Sequence, residues 1–114
     1  MKLYGIKNCD TVKKARKYLE SKGKDYEFHD VREDGLTDSH LKSWTSQVDW
    51  QKLLNTRSTT WRQLDDGQKK DVDAARAIAL ILEHPTLLKR PVLESHKSVL
   101  VGFKSEWYDE VCQG

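Results

Sequence analysis

Residues 1–16 read MKLYGIKNCDTVKKAR, and this stretch decides the architecture. Lys2–Ile6 is short and apolar-aromatic, which predicts a buried strand with Gly5 as its weak point. From Asp10 to Lys22 the apolar positions Val12, Ala15 and Leu19 recur at helical spacing, and Gly23 marks the stop. Cys9 therefore falls where a first strand hands over to a first helix. A helix N-terminus carries partial positive charge and unpaired N–H groups, and both stabilise a thiolate, the nucleophilic form of cysteine. Lys7, Asn8, Asp10 and Thr11 give this thiol polar company, unlike that of a cysteine filling a core.

Working outward, Tyr26, Phe28 and Asp30 alternate with Glu27 and His29, and Val31 follows, the pattern of a second strand. Strand, helix and strand form a βαβ unit, whose two strands are expected to be parallel. Thr37 opens a helix signal that Leu41, Trp44 and Val48 continue. Trp50, Leu53 and Leu54 come next, then a polar loop from Asn55 to Thr60, and Trp61–Leu64 adds a short turn. Asp71–Glu83 predicts a helix with Val72, Ala75, Ile78, Ala79 and Leu82 on one face, widened by Leu80 and Ile81. His84-Pro85 ends it, with His84 set to meet the last carbonyls. Arg90–Leu93 and Ser98–Gly102 read as a hairpin around Glu94–Lys97, and Glu106–Val111 as a closing helix with Trp107 and Val111 inward. All four tryptophans, Trp44, Trp50, Trp61 and Trp107, are expected to anchor the packing. The element order predicts an α/β chain: a thioredoxin-like fold with a four-stranded mixed sheet and a helical subdomain inserted at about residues 37–84, all in one domain over 1–114.

Composition narrows the function. The 114 residues carry 20 basic and 18 acidic side chains, a net charge of +2, too balanced for a broad nucleic-acid footprint. The cluster Lys13, Lys14, Arg16, Lys17 is expected to be the solvated face of the first helix, so no nucleic-acid partner is expected. No apolar run approaches the roughly 20 residues of a membrane span, and no secretory pattern opens the chain, so no membrane partner is expected. Two cysteines make no disulfide framework, which favours a reducing, cytoplasmic location. His29, His40 and His96 are scattered without zinc-site spacing, so no metal is expected. Val12 stands where the second cysteine of a Cys-x-x-Cys pair would be, which excludes a dithiol cycle. Cys112 is expected to lie beyond disulfide reach as a structural or incidental thiol.

Three stretches carry a family resemblance: Asn8-Cys9 running into Thr11-Val-Lys-Lys-Ala15; Leu53-Leu54-Asn55-Thr56-Arg57 with Trp61-Arg-Gln-Leu64; and Glu83-His-Pro-Thr-Leu-Leu-Lys-Arg90-Pro91-Val92, leading to Val101-Gly102-Phe103. In this order they resemble arsenate-reductase-like proteins of the ArsC/Spx superfamily, in its short YffB-type branch. The resemblance implies that Cys9 is the redox cysteine and that Arg90 is an active-site arginine before a cis proline, Pro91. It also implies arginines after the Leu-Leu pair and after the last strand. Asn55 holds the first position, with Arg57 two residues on, and Phe103 and Lys104 hold the second.

These departures favour a relative that keeps the thiol and handles glutathione or its mixed disulfides over one that reduces arsenate. The expected chemistry is attack by Cys9, charge neutralisation by Arg90 with Arg57 or Lys7 assisting, and resolution of the adduct by an external thiol. Asn8, Asp10, Thr11 and the backbone beside Pro91 complete the expected substrate contacts. No tightly bound cofactor is expected. Glutathione is the co-substrate, glutathione or glutaredoxin the reductant, a small molecule or a disulfide the substrate, and the chain a monomer. The competing readings are arsenate reduction and a non-catalytic, Spx-like regulator of RNA polymerase.

Overall fold

The computed structural model describes residues 1–95 and 98–113. Its elements run β1 (Lys2–Gly5), α1 (Asp10–Ser21), β2 (Glu27–Asp30), α2 (Asp38–Thr45), α3 (Trp50–Leu53), α4 (Thr59–Gln63), α5 (Asp66–Lys69), α6 (Ala74–Glu83), a 3₁₀ turn at Pro85–Leu87, β3 (Val92–Glu94), β4 (Val99–Val101) and α7 (Ser105–Gln113). They fall into two compact units, one built from Met1–Asp34 and the chain from Arg90 onward, the other from Gly35–Lys89. His96 and Lys97, in the expected hairpin turn, lie outside the described residues.

The first unit is the sheet. Its strand order is β2-β1-β3-β4, with β1 parallel to β2 and antiparallel to β3, and β3 antiparallel to β4. This is the four-stranded mixed sheet of a thioredoxin-like fold. Leu3, Ala15, Leu19, Leu93 and Tyr108 are fully buried together, so α1 and α7 share one face of the sheet. Alternation along β1 puts Leu3 and Gly5 on that face. A Cβ built on Gly5 would sit 2.6 Å and 2.9 Å from the two methyls of Val12, so glycine is what lets α1 lie this close.

Several expectations for which side chains face the core are corrected. In α7 Tyr108 is buried and Val111 packs against the same core as expected, while Trp107 is 39% exposed with the Lys104 ammonium 5.1 Å from its ring centre. Of the tryptophans only Trp44 is fully buried; Trp50 and Trp61 are half-buried. The basic face of α1 is solvated at Lys13, Lys14 and Lys17. Arg16 instead lies over the Phe28 ring at 4.2 Å, and its Nε donates to the Tyr26 hydroxyl.

In the second unit, Thr37 caps α2 by accepting from the His40 N–H, while the His40 ring accepts from the Thr37 N–H. Helix α6 starts at Ala74, three residues later than the periodicity suggested. Asp71 adopts φ 53°, and the Asp73 side chain caps the helix by accepting from the Arg76 N–H at 2.8 Å. Its buried residues are Ala77, Leu80 and Ile81, while Ala75 and Ala79 are exposed. A helix rich in alanine is apolar nearly all round, so its pattern leaves open which stripe faces the core. His84 closes α6, its N–H donating to the Leu80 carbonyl.

The approach of Gly5 to Val12 gives a direct prediction. Gly5→Ala lowers unfolding stability by about 1–3 kcal/mol through overpacking, measured by urea titration. Adding Val12→Ala in the same chain gives a smaller total loss than the sum of the two single losses, because the clash is gone. Strict additivity would contradict the contact.

Candidate functional site

The sheet register collects the site at one end. β1 ends at Gly5, paired with Asp30 at the end of β2, and Tyr4 is paired with Val92 at the start of β3, itself opposite Val101 at the end of β4. The segments leaving this end are Ile6–Cys9, Val31–Asp34, Arg90–Pro91 and Gly102–Lys104. Cys9, Lys7, Asn8, Asp10, Thr11, Arg90 and Pro91 are thus brought to one end of one sheet. Arg57 belongs to the other unit, Gly35–Lys89.

Cys9 is the N-cap of α1. Its N–H donates to the Ile6 carbonyl at 3.1 Å, its backbone is extended (φ −89°, ψ 124°), and its carbonyl accepts from the Lys13 N–H at 2.9 Å. An oxygen side chain at this position would cap the helix. The Cys9 side chain makes no capping hydrogen bond, and the residue is half-buried. The sulfur therefore stands at the positive end of the helix dipole with the first turn uncapped by it. Asp10, in the first turn, and Thr11 are both exposed.

Asp30 holds the loop in front of Cys9, a role that strand alternation alone did not reveal. It is 4% exposed, and its carboxylate accepts from the N–H groups of Arg32 (2.8 Å), Glu33 (3.1 Å) and Lys7 (3.3 Å). Burial works to raise its pKa. The backbone donors of Glu33, Arg32 and Lys7, with the Lys7 charge, outweigh that and hold the carboxyl below its ordinary value. The sequence signal was an acidic residue closing a strand at the end of a sheet where sites gather. Lys7 is spoken for as well: its ammonium donates to Glu33 at 2.9 Å, and that bond, then the Glu33 charge, raises its pKa.

The Arg90–Pro91 bond is cis. Pro91 is buried, and its carbonyl accepts from the Gly102 N–H at 2.8 Å, so that oxygen is already engaged within the sheet end. Arg90 is half-buried, with its Nε out of contact with solvent.

The two positions where arginine was implied have structural occupants. Asn55 accepts from the Arg57 N–H at 3.1 Å through its side chain, and its own N–H donates to the Leu87 carbonyl at 2.7 Å. Its carbonyl accepts from the Ser58 hydroxyl, whose oxygen then caps α4 by accepting from Trp61 N–H. Asn55 is the keystone of a turn, and Arg57 sits exposed on it. Phe103 packs edge-on against Tyr18 (5.6 Å) and Tyr108 (4.9 Å) in the aromatic part of the core. Cys112 is a free thiol packed against that same core. Among the described residues no cluster of histidine, cysteine and carboxylate side chains could hold a metal, and no helix is long and apolar enough to cross a membrane.

A half-buried cysteine at the N-cap position of the first helix, at the sheet end where a cis proline precedes the third strand, completes the picture of a thioredoxin-like protein. The chain belongs to the ArsC family, which it matches over residues 4–111. Among solved structures it is similar to a YFFB protein, with 48% identity, 96% of each chain covered and a TM-score of 0.93. It is also similar to an arsenate reductase (ArsC) related protein from Brucella melitensis, at 47% identity, covering 96% of this chain and 91% of that one, with a TM-score of 0.75. A protein of Haemophilus influenzae is 44% identical over 93% of both chains. A more distant relative, global transcriptional regulator Spx 2 of Bacillus anthracis, is 28% identical over 91% of this chain and 80% of its own.

The Asp30 network predicts an acid response. The folded carboxyl ionises at lower pH than in the unfolded chain. Its contribution is therefore complete above the ordinary value of 3.8 and is lost as the pH falls below that, through the folded value. Wild-type stability should drop across that window in urea titrations. Asp30→Asn should flatten that part of the profile, whereas the exposed Glu33→Gln should leave it in place. An unchanged profile in Asp30→Asn would contradict the network.

Proposed function

We propose that the protein is a single-cysteine thiol oxidoreductase that reduces glutathione mixed disulfides and takes its second thiol from glutathione. The observation that carries this reading is Cys9 itself: half-buried at a helix N-cap, its side chain uncommitted to capping, at the sheet end that also holds Arg90 and cis Pro91. The Cys9 thiolate attacks the glutathione sulfur of a mixed disulfide. The substrate S–S bond breaks, a Cys9–glutathione disulfide forms, and the departing substrate thiolate takes a proton from water. A second glutathione thiolate then attacks the glutathione sulfur of the adduct, releasing glutathione disulfide and restoring Cys9.

The resolving thiol has to be external. Val12 occupies the position three residues on and is fully buried, and Cys112 packs on the core. Arg90 supplies a fixed cation for the carboxylates or the developing thiolate. Arsenate reduction is the second choice, supported by the arsenate-reductase-related neighbours and opposed by Asn55 and Phe103, whose side chains serve the turn and the core. The Spx relatives support a third reading, a non-catalytic regulator. The buried Val12 in place of a second cysteine counts against a dithiol switch.

Turnover of a glutathione mixed disulfide, followed by a coupled assay for glutathione disulfide, tests the reading. Cys9→Ser should abolish turnover, while Cys112→Ser leaves it intact. Arg90→Ala should lower kcat/KM on the order of 100-fold with an unchanged far-UV circular dichroism spectrum. Turnover retained in Cys9→Ser would refute the mechanism. Arsenate turnover in the same preparation without disulfide turnover would move the assignment to the second choice.

A further inference from the structure

The Gly35–Lys89 unit contains a cavity of about 360 Å³ that the thiol chemistry does not use. Its walls include Trp50, Trp61, Leu54, Thr56, Lys69 and Lys89, and no acidic side chain lines it. The size falls within the about 300–1,000 Å³ of small-molecule sites, and an apolar lining with a few polar groups is their usual chemistry.

Backbone hydrogen bonds frame the cavity. The Lys89 N–H donates to the Leu53 carbonyl at 2.8 Å, the Asn55 N–H donates to the Leu87 carbonyl at 2.7 Å, and Leu54 is bridged to Leu88 between them. These bonds fix Leu54 and Lys89 on adjacent extended segments. Ser58, capping α4 through Trp61 N–H, fixes the second wall. Trp50 and Trp61 are both half-buried. The Lys69 ammonium lies 6.0 Å from the Trp61 ring centre. Among the described residues neither Lys69 nor Lys89 has a carboxylate within ion-pair distance.

We infer that this cavity is a binding site for a small planar organic anion, an aromatic or conjugated carboxylate, held by Trp50 and Trp61 and neutralised by Lys69 and Lys89. Two indoles supply surface for a flat apolar body. Two lysines with no acidic neighbour in the lining supply the complement to one negative group. A neutral ligand would leave that charge unanswered, and a cation would be repelled. The site is independent of Cys9 and stands or falls apart from the thiol chemistry.

The test uses 2-naphthoate as probe and the four tryptophan indole N–H signals in ¹H–¹⁵N spectra of the full chain. Titration should move the Trp50 and Trp61 signals saturably and leave Trp44 and Trp107 in place. Neutral 2-naphthol should bind at least about tenfold more weakly. The double variant Lys69→Gln, Lys89→Gln should lose naphthoate affinity by a similar factor, keep its affinity for 2-naphthol and retain the wild-type Trp44 signal. Cys9→Ser should bind naphthoate as the wild type does. No saturable movement up to millimolar probe, movement centred on Trp107, or equal affinity for the acid and the alcohol would each overturn the site.

Discussion

Helix α1 lies against β1 at a distance that only a glycine permits, with Gly5 beneath the two methyls of Val12. Much of the first unit follows from that contact. Val12 is fully buried over Gly5, and Ala15 and Leu19 are fully buried with Leu3 and Leu93. The strand-to-helix connection is reduced to Ile6–Cys9, closed by the Cys9 N–H on the Ile6 carbonyl. This short link places Cys9 at the N-cap of α1. A bulkier residue at position 5 would lift α1 and carry the thiol with it.

The charges around this thiol are arranged by backbone as much as by side chains. Asp30 spends its carboxylate on three N–H groups, tying the Lys7 loop to the Arg32–Glu33 turn. Lys7, a natural candidate for a cation beside a thiolate, is paired with Glu33. In the first unit this leaves the helix dipole and Arg90 as the favoured sources of positive potential for the proposed chemistry. The two positions where arginine was implied have been turned to structural use, one building a turn and the other filling an aromatic core.

The fold and the place of Cys9 between β1 and α1 were legible because they rest on local signals. The strand, the Cys9 junction and the α1 stripe all lie within one short stretch, and each position expected to be buried in α1 is buried. The cis bond before Pro91 was implied by resemblance and is present. What escaped depends on contacts between distant segments. Asp30 reads as one alternating strand residue until the β1–β2 register brings it to the Lys7 loop. The phase of α6 turns on a cap at Asp73 and on Asp71 leaving the helical region, neither visible in a run of apolar residues. In α7 the choice between the neighbouring Trp107 and Tyr108 rests on which packs with Leu3, Leu19 and Leu93, and Phe103 shows its aromatic partners only once α1 and α7 share a face.

The proposal that Cys9, and not Cys112, is the thiol that undergoes exchange has a direct measurement. The protein is treated with a limiting amount of glutathione disulfide, and peptide mass spectrometry locates the adduct. One glutathione is expected on the peptide containing Cys9, none on that containing Cys112, with complete removal by excess reduced glutathione. An adduct on Cys112, or an unmodified Cys9 under conditions that modify a free cysteine peptide, would contradict it.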